Sequence, residues 1–261
     1  MVLGKPAVSE KKKISISNFF PVYNDWGTIG SMVALAISTL EGITDDYEII
    51  LVDDGSNQAT LDVLSFIEKA FHDRVRVVHH EKNRGYGGAL KTGIKESQKE
   101  FIFYTDSDAQ YDVRELRKLV EGLRDGVDVV NGYKVKRNDP WYRVVIGKMY
   151  HAITKFSFGF KIRDVDCDFR LMRRSLFDRI ELESDSGTIC VEMIKKLHDV
   201  GAVFGEVPVH HFFRASGKSE FFNFRRVFRV GIDLLKLWWR LVFLKKLRGG
   251  RTDGIVQRLL L

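Results

Sequence analysis

Short runs rich in β-branched and aromatic residues alternate with helical patterns through the first half of the chain. This alternation is typical of βαβ units, in which crossover helices join parallel strands. It predicts an α/β fold with a mostly parallel central sheet flanked by helices. The predicted strands are residues 14–20, 47–54, 74–80, 100–106 and 127–132, and the predicted helices are residues 27–41, 59–71, 86–98 and 112–124.

The second half of the chain is less regular. A polar stretch at 163–174 separates a predicted helix at 138–160 from a predicted helix at 187–200, and a strand-like run follows at 202–213. A long final helix is expected at 222–247. With 261 residues, 44% of them apolar, the chain is long enough for one domain with a sizeable core. The expected parts are a flexible segment at 1–13, an α/β domain at 14–220, an amphipathic helix at 221–247 and a tail at 248–261.

Charge is distributed unevenly along the chain. The net charge is +7, yet Lys and Arg are sparse around residues 45–54 and 104–112 and dense from Arg214 to Arg251, where they mix with Phe, Leu and Trp. This mixture suits a membrane interface better than a nucleic-acid groove. Only two cysteines are present, and the first residues are too polar for a signal peptide. We therefore expect a cytoplasmic protein that binds no nucleic acid.

Polar clusters follow four of the predicted strands directly. PVYND follows the first strand, DDGS ends the second, NRGYGG follows the third and TDSDAQ follows the fourth. Ligands of open α/β sheets bind at the carboxyl ends of the strands. We therefore expect the four clusters to converge on one crevice.

The fourth cluster lies in FYTDSDAQYD, residues 103–112, and carries a candidate metal site. Side chains alternate along an extended strand, so Asp106, Asp108 and Gln110 share one side if the strand continues through them. Neighbouring carboxylates raise each other's pKa unless a cation compensates them, and Mg²⁺ or Mn²⁺ is the usual cation for oxygen ligands. The alternative is a solvated loop with Asp112 capping the next helix, but the position after a buried strand favours a metal.

Two further clusters allow both a binding and a structural interpretation. Asp53 and Asp54 can accept hydrogen bonds from a ribose or a base, as acids at strand ends do in dinucleotide folds, or they can belong to a turn before a helix cap. The glycines of NRGYGGALKTG can direct backbone N–H groups toward a phosphate, or they can allow close packing of a helix. The sequence lacks a complete G-x-G-x-x-G pattern, which favours packing.

Taken in this order, FFPVYND, LVDDGS, NRGYGGALKTG and YTDSDAQYD resemble the family 2 glycosyltransferases of the GT-A fold. DVDCDFRLMRR, EVPVHHFFRASGKSEFF and the closing basic and aromatic helix resemble the polyprenyl-phosphate branch, which includes dolichyl-phosphate mannose synthases and undecaprenyl-phosphate sugar transferases. The resemblance spans about residues 14–240. It implies transfer of a hexose, with inversion, from a nucleotide diphosphate sugar of the GDP-mannose or UDP-glucose type to a polyprenyl phosphate.

The resemblance also implies a role for each residue that matches a family motif. The residues matched to nucleotide binding are Pro21, Tyr23, Asp25, Asp53, Asp54 and Asp106. The residues matched to the metal ion, Mg²⁺ or Mn²⁺, are Asp106, Asp108 and Gln110. The residues matched to catalysis or phosphate contact are Asp108, Asp164, Arg170, Arg214 and Ser219.

The sequence departs from the family pattern in two ways. GKSE exchanges the charges that relatives carry at Lys218 and Glu220, so the phosphate role of the usual lysine is not carried over. Cys167 stands where mannose synthases often have Ser. Both departures concern the geometry of the acceptor site rather than the class of enzyme.

The acceptor decides whether the reaction needs a base. A lipid phosphate is already ionised at pH 7, so positioning and charge compensation suffice, and Arg170 and Arg214 can hold phosphates through bidentate hydrogen bonds. A hydroxyl acceptor would need a general base, for which Glu192 and Asp164 are candidates. The alternatives to transfer onto a lipid phosphate are a glycosyltransferase that acts on a hydroxyl and a noncatalytic nucleotide-sugar binding module.

The closing helix has a narrow polar stripe of Arg229, Asp233, Lys236 and Arg240 beside a broad apolar face. It has no run of about 18 uncharged apolar residues, so no membrane span is predicted. An apolar face edged with Arg, Lys and Trp is typical of a helix in the lipid interface. We expect peripheral association with the inner face of the membrane. The alternatives are an ordinary packed helix or a docking face for a membrane subunit or a second copy of the chain.

Overall fold

The computed structural model describes residues 11–135, 147, 152–214 and 224–244. The strands are β1 (Ser15–Val22), β2 (Asp46–Asp53), β3 (Val75–His79), β4 (Phe101–Thr105), β5 (Val129–Lys134), β6 (Phe169–Arg173) and β7 (Phe204–Val209). The helices are α1 (Ile29–Glu41), α2 (Gln58–Ala70), α3 (Gly85–Glu96), α4 (Leu116–Gly122), α5 (152–158), α6 (Ile189–Asp199) and α7 (Phe224–Trp238). Short 3-10 helices cover Val113–Glu115 and Arg174–Arg179, and a π-helical turn covers Trp239–Phe243.

The seven strands form one sheet in the order β3-β2-β1-β4-β6-β5-β7. β1 pairs in parallel with β2 and β4, β2 with β3, and β5 with β7. β6 lies between β4 and β5 and runs antiparallel to both. The predicted α/β fold with a mostly parallel sheet flanked by helices is therefore confirmed.

Strand β6 corrects one prediction. Residues 163–174 are predicted as a polar segment, yet Phe169–Arg173 is a strand in the middle of the sheet. Arg170 hides the strand pattern in the sequence, because a charged residue rarely occupies a fully buried position. Here its side chain is completely buried and hydrogen-bonded inside the protein.

Alternate residues of the strands enter two apolar layers on opposite faces of the sheet. Phe20 packs in the layer under α1 and α4, whereas Phe19 packs in the layer under α3 and α6. Leu51 and Ile50 of β2 divide between the layers in the same way. This period of two is the geometry of strands buried on both faces, and it accounts for their continuous apolar runs.

Helix α7 packs on the domain through a third apolar cluster. Leu237 is buried there among Phe158 and Phe160 near α5 and Ile194 of α6. The indole N–H of Trp238 donates to the carbonyl oxygen of Ser157 at 3.0 Å. The predicted helix at 222–247 is thus present over Phe224–Trp238 and continues as the π turn, and its remaining residues lie outside the described ranges. None of the helices within the described ranges is long and apolar enough to cross a membrane.

Candidate active site

The carboxyl ends of β1, β2 and β4 meet at one edge of the sheet. β1 lies between the other two strands, and Val22 at its end is opposite Asp53 at the end of β2. The loops that follow these strands carry Asp25 and Asp108. The predicted convergence of polar clusters is therefore found for the clusters at the ends of β1, β2 and β4.

The segment after β4 is a turn rather than an extended strand. β4 ends at Thr105, Ala109 has a positive φ of 61°, and Oδ1 of Asp108 accepts a hydrogen bond of 3.0 Å from the backbone N–H of Gln110. Strand alternation is expected to place Asp106, Asp108 and Gln110 on one side. That expectation is wrong, because the strand does not continue through these residues. The side-chain amide of Gln110 donates to the carbonyl of Phe212 at 3.1 Å, which leaves its oxygen Oε1 as the atom available to a cation.

Asp25 is held by the turn after β4. Its Oδ2 lies 2.6 Å from Oγ of Ser107, which is also 2.8 Å from the carbonyl of Pro21. Arg214 donates from Nη2 to Oδ1 of Asp25 at 2.9 Å, and its Nη1 lies 3.8 Å from Oδ2 of Asp108. A single guanidinium therefore faces two carboxylates of the crevice.

The pKa values of the two acids after β4 are raised. Desolvation, followed by the charges of Asp168 and Asp108, raises the pKa of Asp106 well above its usual value, although a hydrogen bond from Tyr86 at 2.8 Å opposes the shift. Desolvation also raises the pKa of Asp108, against the N–H of Gln110 and the charge of Arg214. A divalent cation would relieve this repulsion.

The donor set fits Mg²⁺ or Mn²⁺ that is shared with a substrate. Carboxylate and amide oxygens are the ligands that these ions prefer, and Asp106, Asp108 and Gln110 supply them. Within the described ranges, no three His, Cys, Asp or Glu side chains converge closely enough to hold a metal by themselves. Such a site is completed by substrate phosphates and water, as is usual for Mg²⁺.

Asp53 and Asp54 are paired with two histidines of the neighbouring strand. Oδ2 of Asp53 lies 2.9 Å from Nδ1 of His79, and Oδ1 of Asp54 lies 2.7 Å from Nδ1 of His80. Oδ1 of Asp53 also accepts from the backbone N–H of Ser56 at 3.0 Å. Both carboxylates are buried, whereas His79 faces a cavity of about 610 Å³ that also reaches Asp53. The two histidines carried no signal in the sequence, because only the parallel pairing of β2 and β3 brings them to the acids.

The glycines of NRGYGGALKTG serve close packing. The N–H of Gly87 donates to the carbonyl of Asp185 at 2.9 Å, and a Cβ at this position would lie 2.3 Å from the carbonyl oxygen of Ser184. A Cβ at Gly93 would lie equally close to the ring of Phe19. These contacts favour the packing interpretation of the motif over a phosphate-binding one.

Arg170 lies beneath the crevice rather than in it. Its guanidinium is fully buried, donates from Nε to Oδ1 of Asn131 at 2.6 Å, and also donates to the hydroxyl of Tyr104 and the carbonyl of Val165. With these donors committed inside the protein, the geometry offers no direct contact to a bound phosphate. Arg170 instead supports the residues that line the crevice.

The two candidate bases are held in ion pairs. Asp164 is buried, with Oδ2 at 3.8 Å from Nζ of Lys134. Glu192 is completely buried. Its Oε1 lies 2.7 Å from Nζ of Lys196 and 3.1 Å from Nη2 of Arg240, which belongs to the turn after α7. Burial opposes ionisation of Glu192, but hydrogen bonds from Lys196 and Ser184 outweigh it and lower its pKa. Glu192 therefore anchors the end of α7.

Two further predictions and one residue that the sequence did not indicate concern the surroundings of the site. Asp112 caps the 3-10 helix after the turn, as its alternative interpretation predicts, and accepts from the N–H of Arg114 at 3.0 Å. Ser219, Lys218 and Glu220 lie outside the described residues. Asp168, which the sequence interpretation did not select, faces Asp106 from the residue before β6.

Comparisons with known proteins bear on the family and the fold of the chain. A sequence model described as Glycosyl transferase family 2 matches residues 17–181. Glycosyltransferase AglD of Haloferax volcanii is 27% identical over 246 residues, which cover 91% of this chain and 39% of the relative. The chain thus spans about two fifths of the length of that relative.

Solved structures share the fold at low sequence identity. Glucosyl-3-phosphoglycerate synthase from Mycobacterium tuberculosis, in complex with uridine diphosphate, has a TM-score of 0.62 and 17% identity, with 80% of this chain and 74% of that chain covered. The mannosyltransferase PcManGT from Pyrobaculum calidifontis, in complex with GDP-Man and Mn²⁺, has a TM-score of 0.60 and 19% identity, with 82% and 60% covered. The predicted GT-A fold is confirmed by these similarities.

Proposed function

Because the chain belongs to glycosyl transferase family 2, as its motifs predict, we propose that it is a metal-dependent inverting glycosyltransferase. Its donor is a nucleotide diphosphate hexose of the GDP-mannose or UDP-glucose type, and its acceptor is a polyprenyl phosphate such as dolichyl or undecaprenyl phosphate. The observation that carries the proposal is the position of Arg214 against Asp25 and Asp108, which combines a metal-binding acid with a phosphate-binding cation in one crevice.

The donor is held at the strand ends. Asp106 and Asp108, with Oε1 of Gln110, would hold Mg²⁺ or Mn²⁺. When bound, the ion supplies Lewis-acid stabilisation of charge on the leaving diphosphate. The nucleoside would occupy the cavity beside Asp53, with Tyr23 exposed on the adjoining loop. Structures of similar fold are described with UDP and with GDP-Man and Mn²⁺, which supports this assignment.

The reaction needs one bond to form and one to break. An oxygen of the acceptor phosphate attacks the anomeric carbon from the face opposite the diphosphate, and the nucleoside diphosphate leaves with the bonding electron pair. No proton has to be removed, because the acceptor phosphate is already ionised. The ion pairs of Glu192 and Asp164 support this acceptor, since neither carboxylate is free to act as a base.

Exposed aromatic side chains next to the arginine support a lipid acceptor. Phe212 and Phe213 directly precede Arg214 and are 46% and 70% exposed. A guanidinium beside exposed apolar surface suits a ligand that has a phosphate head and a hydrocarbon chain. A noncatalytic nucleotide-sugar module and transfer to a small hydrophilic hydroxyl acceptor, which are the alternatives, do not require apolar surface beside the arginine.

The outer face of α7 supports a position at the inner face of the membrane. Leu235 and Trp239 are 69% and 50% exposed and lie about one turn apart, whereas Leu237 faces the domain. Phe156 of α5 is 91% exposed as well. Apolar side chains of this kind, together with the basic residues of the helix, suit a lipid interface. A membrane subunit or a second copy of the chain is the alternative occupant.

Transfer of labelled sugar tests the proposal. Purified protein is incubated with labelled GDP-mannose or UDP-glucose, Mn²⁺ and a short polyprenyl phosphate, and the lipid fraction is counted. Label is expected in the lipid only when the phosphate and the metal are both present, with polyprenol and EDTA as the matched controls. Transfer to 3-phosphoglycerate or to a glycan but not to the lipid would replace the acceptor, and turnover of neither donor would favour a binding module.

A further inference from the structure

Asp168 lies opposite Asp106 at the end of a strand pair. β4 and β6 run antiparallel, and Thr105 is paired with Phe169. Asp106 directly follows Thr105 and Asp168 directly precedes Phe169, so the two acids lie at the same end of this strand pair. Asp168 is accordingly the charge that contributes most to the raised pKa of Asp106.

One oxygen of Asp168 is held and the other is not. Oδ1 accepts hydrogen bonds from the hydroxyl of Tyr104 at 3.2 Å and from the thiol of Cys190 at 3.1 Å. Nη1 of Arg170 lies 3.6 Å from the same oxygen. Oδ2 has no hydrogen-bond partner in the part of the chain that the structure describes, and the side chain is 18% exposed. The carboxylate is therefore fixed in orientation through Oδ1, and its partly exposed side chain leaves Oδ2 available to a ligand.

The surroundings of Asp168 favour a hydroxyl group over a metal ion. The buried guanidinium of Arg170 already compensates its charge, whereas the acids after β4 carry the unrelieved repulsion. Asp168 also completes no metal-binding trio with Asp106 and Asp108 in the described residues. A carboxylate repels a diphosphate but accepts a hydrogen bond from a neutral hydroxyl.

We infer that Oδ2 of Asp168 binds a hydroxyl group of the hexose in the donor, across the crevice from the metal-binding acids. This inference rests on the proposed function. It makes Asp168 the residue that distinguishes a nucleotide sugar from the bare nucleotide, with Tyr104 and Arg170 as positioning residues behind it.

Binding of the nucleotide with and without its sugar tests the inference. Dissociation constants of GDP-mannose and GDP, and of UDP-glucose and UDP, are measured with Mn²⁺ by calorimetry for the wild type, Asp168→Asn and Asp168→Glu. Both variants are expected to bind the nucleotide sugar about tenfold more weakly and the nucleotide with less than about a twofold change. Asp168→Glu keeps the charge beside Arg170, so it remains informative if Asp168→Asn does not fold.

Asp166→Asn is the matched control, because it removes a carboxylate from the same loop two residues earlier and should bind both ligands as the wild type does. Equal weakening of nucleotide and nucleotide sugar by the Asp168 variants would assign Asp168 to the metal or diphosphate and overturn the inference. Unchanged binding of the nucleotide sugar would overturn it as well, and lost turnover in that case would indicate a base. If the wild type binds none of the four ligands, the proposed function fails and the inference fails with it.

Discussion

Arg214 donates a hydrogen bond of 2.9 Å from Nη2 to Oδ1 of Asp25, although the two residues are 189 positions apart. The same guanidinium lies 3.8 Å from Oδ2 of Asp108. One positive charge from the segment after β7 thus joins the loops after β1 and β4. In the proposed function, this contact brings a phosphate-binding group to the acids that would hold the metal.

Removal of this charge should slow sugar transfer. Arg214→Met is expected to reduce the initial rate of labelled transfer by about 10²–10³-fold, because the proposed function assigns the arginine to compensation of phosphate charge in the crevice. Arg214→Lys should recover part of the rate, since it keeps the charge but loses the bidentate geometry. Arg163→Met, which removes an exposed arginine paired with Glu206, is the control and should be unaffected. A wild-type rate for Arg214→Met would exclude Arg214 from the reaction.

Loss of a metal-binding acid should remove the effect of the metal on nucleotide binding. For Asp108→Asn, Mn²⁺ together with GDP or UDP is expected to produce no increase in melting temperature beyond that of the nucleotide alone, because a ligand stabilises only through the folded state that binds it. Thermal denaturation with and without Mn²⁺ measures this. Asp112→Asn is the control, because Asp112 caps the next helix. A metal-dependent shift that persists in Asp108→Asn would exclude Asp108 as a ligand.

Arg170 should matter for stability more than any exposed arginine. Arg170→Met leaves Asn131, Tyr104 and Asp168 without their buried partner, so we expect the free energy of unfolding to fall by about 3–5 kcal/mol. Urea denaturation measures the change. Arg173→Met, in the same strand but partly exposed, should cost less than about 1 kcal/mol. An equal loss of unfolding free energy for the two substitutions would contradict the conclusion that the buried hydrogen bonds of Arg170 stabilise the fold.

The two faces of α7 should respond differently to substitution. Leu237→Ala is expected to cost about 2–4 kcal/mol of stability, because it opens a cavity in the third apolar cluster. Leu235→Glu should leave stability within about 0.5 kcal/mol of the wild type. The same Leu235→Glu substitution should weaken binding to anionic lipid vesicles about tenfold, as measured by co-sedimentation. Unchanged sedimentation would argue that the exposed face of α7 does not contact lipid.

Asp166 should make stability depend on pH. Desolvation is the main cause that raises its pKa to about 7. A carboxyl with a higher pKa in the folded state favours folding while it is protonated, and this contribution is lost as the pH rises from about 4 to above 7. Relative to Asp166→Asn, which cannot ionise, the wild type should therefore lose on the order of 3 kcal/mol between pH 4.5 and 8. Urea denaturation of both proteins at the two pH values measures this change in the free energy of unfolding. An equal pH dependence for the two proteins would show that the pKa of Asp166 is not raised.

The fold follows from the sequence wherever the apolar pattern is continuous. The strands β1 to β5 and the helices between them lie where periodicity predicts them, since apolar residues there alternate between the two faces of the sheet. The apolar pattern does not predict β6, because Arg170 occupies an interior position of that strand. The burial of Arg170 depends on oxygen atoms of Asn131 and Tyr104, which lie in other strands. These partners are brought to Arg170 by the pairing of β6 with β4 and β5, so the sequence around Arg170 does not indicate them.

Some residues of the candidate site could likewise be predicted from the sequence, and others could not. Asp106 and Asp108 could be selected because they follow a strong strand directly, and the motif order identified the family. The partners of Asp53 and the exposed oxygen of Asp168 depend on neighbours in space, namely His79 on β3 and Tyr104 on β4. Alternation along a strand also failed beyond Thr105, because Ala109 turns the backbone.

The reversed direction of β6 has a consequence for how this crevice can diversify. Parallel strands supply the crevice with residues that follow them, whereas an antiparallel strand supplies the residue that precedes it, here Asp168. If Asp168 binds the sugar as inferred, a substitution of this residue in the short loop before β6 would alter that contact, while the proposed nucleotide and metal sites on the turns after β1, β2 and β4 would be kept. Selection for a new sugar could therefore act on this short loop independently of the machinery that activates the donor.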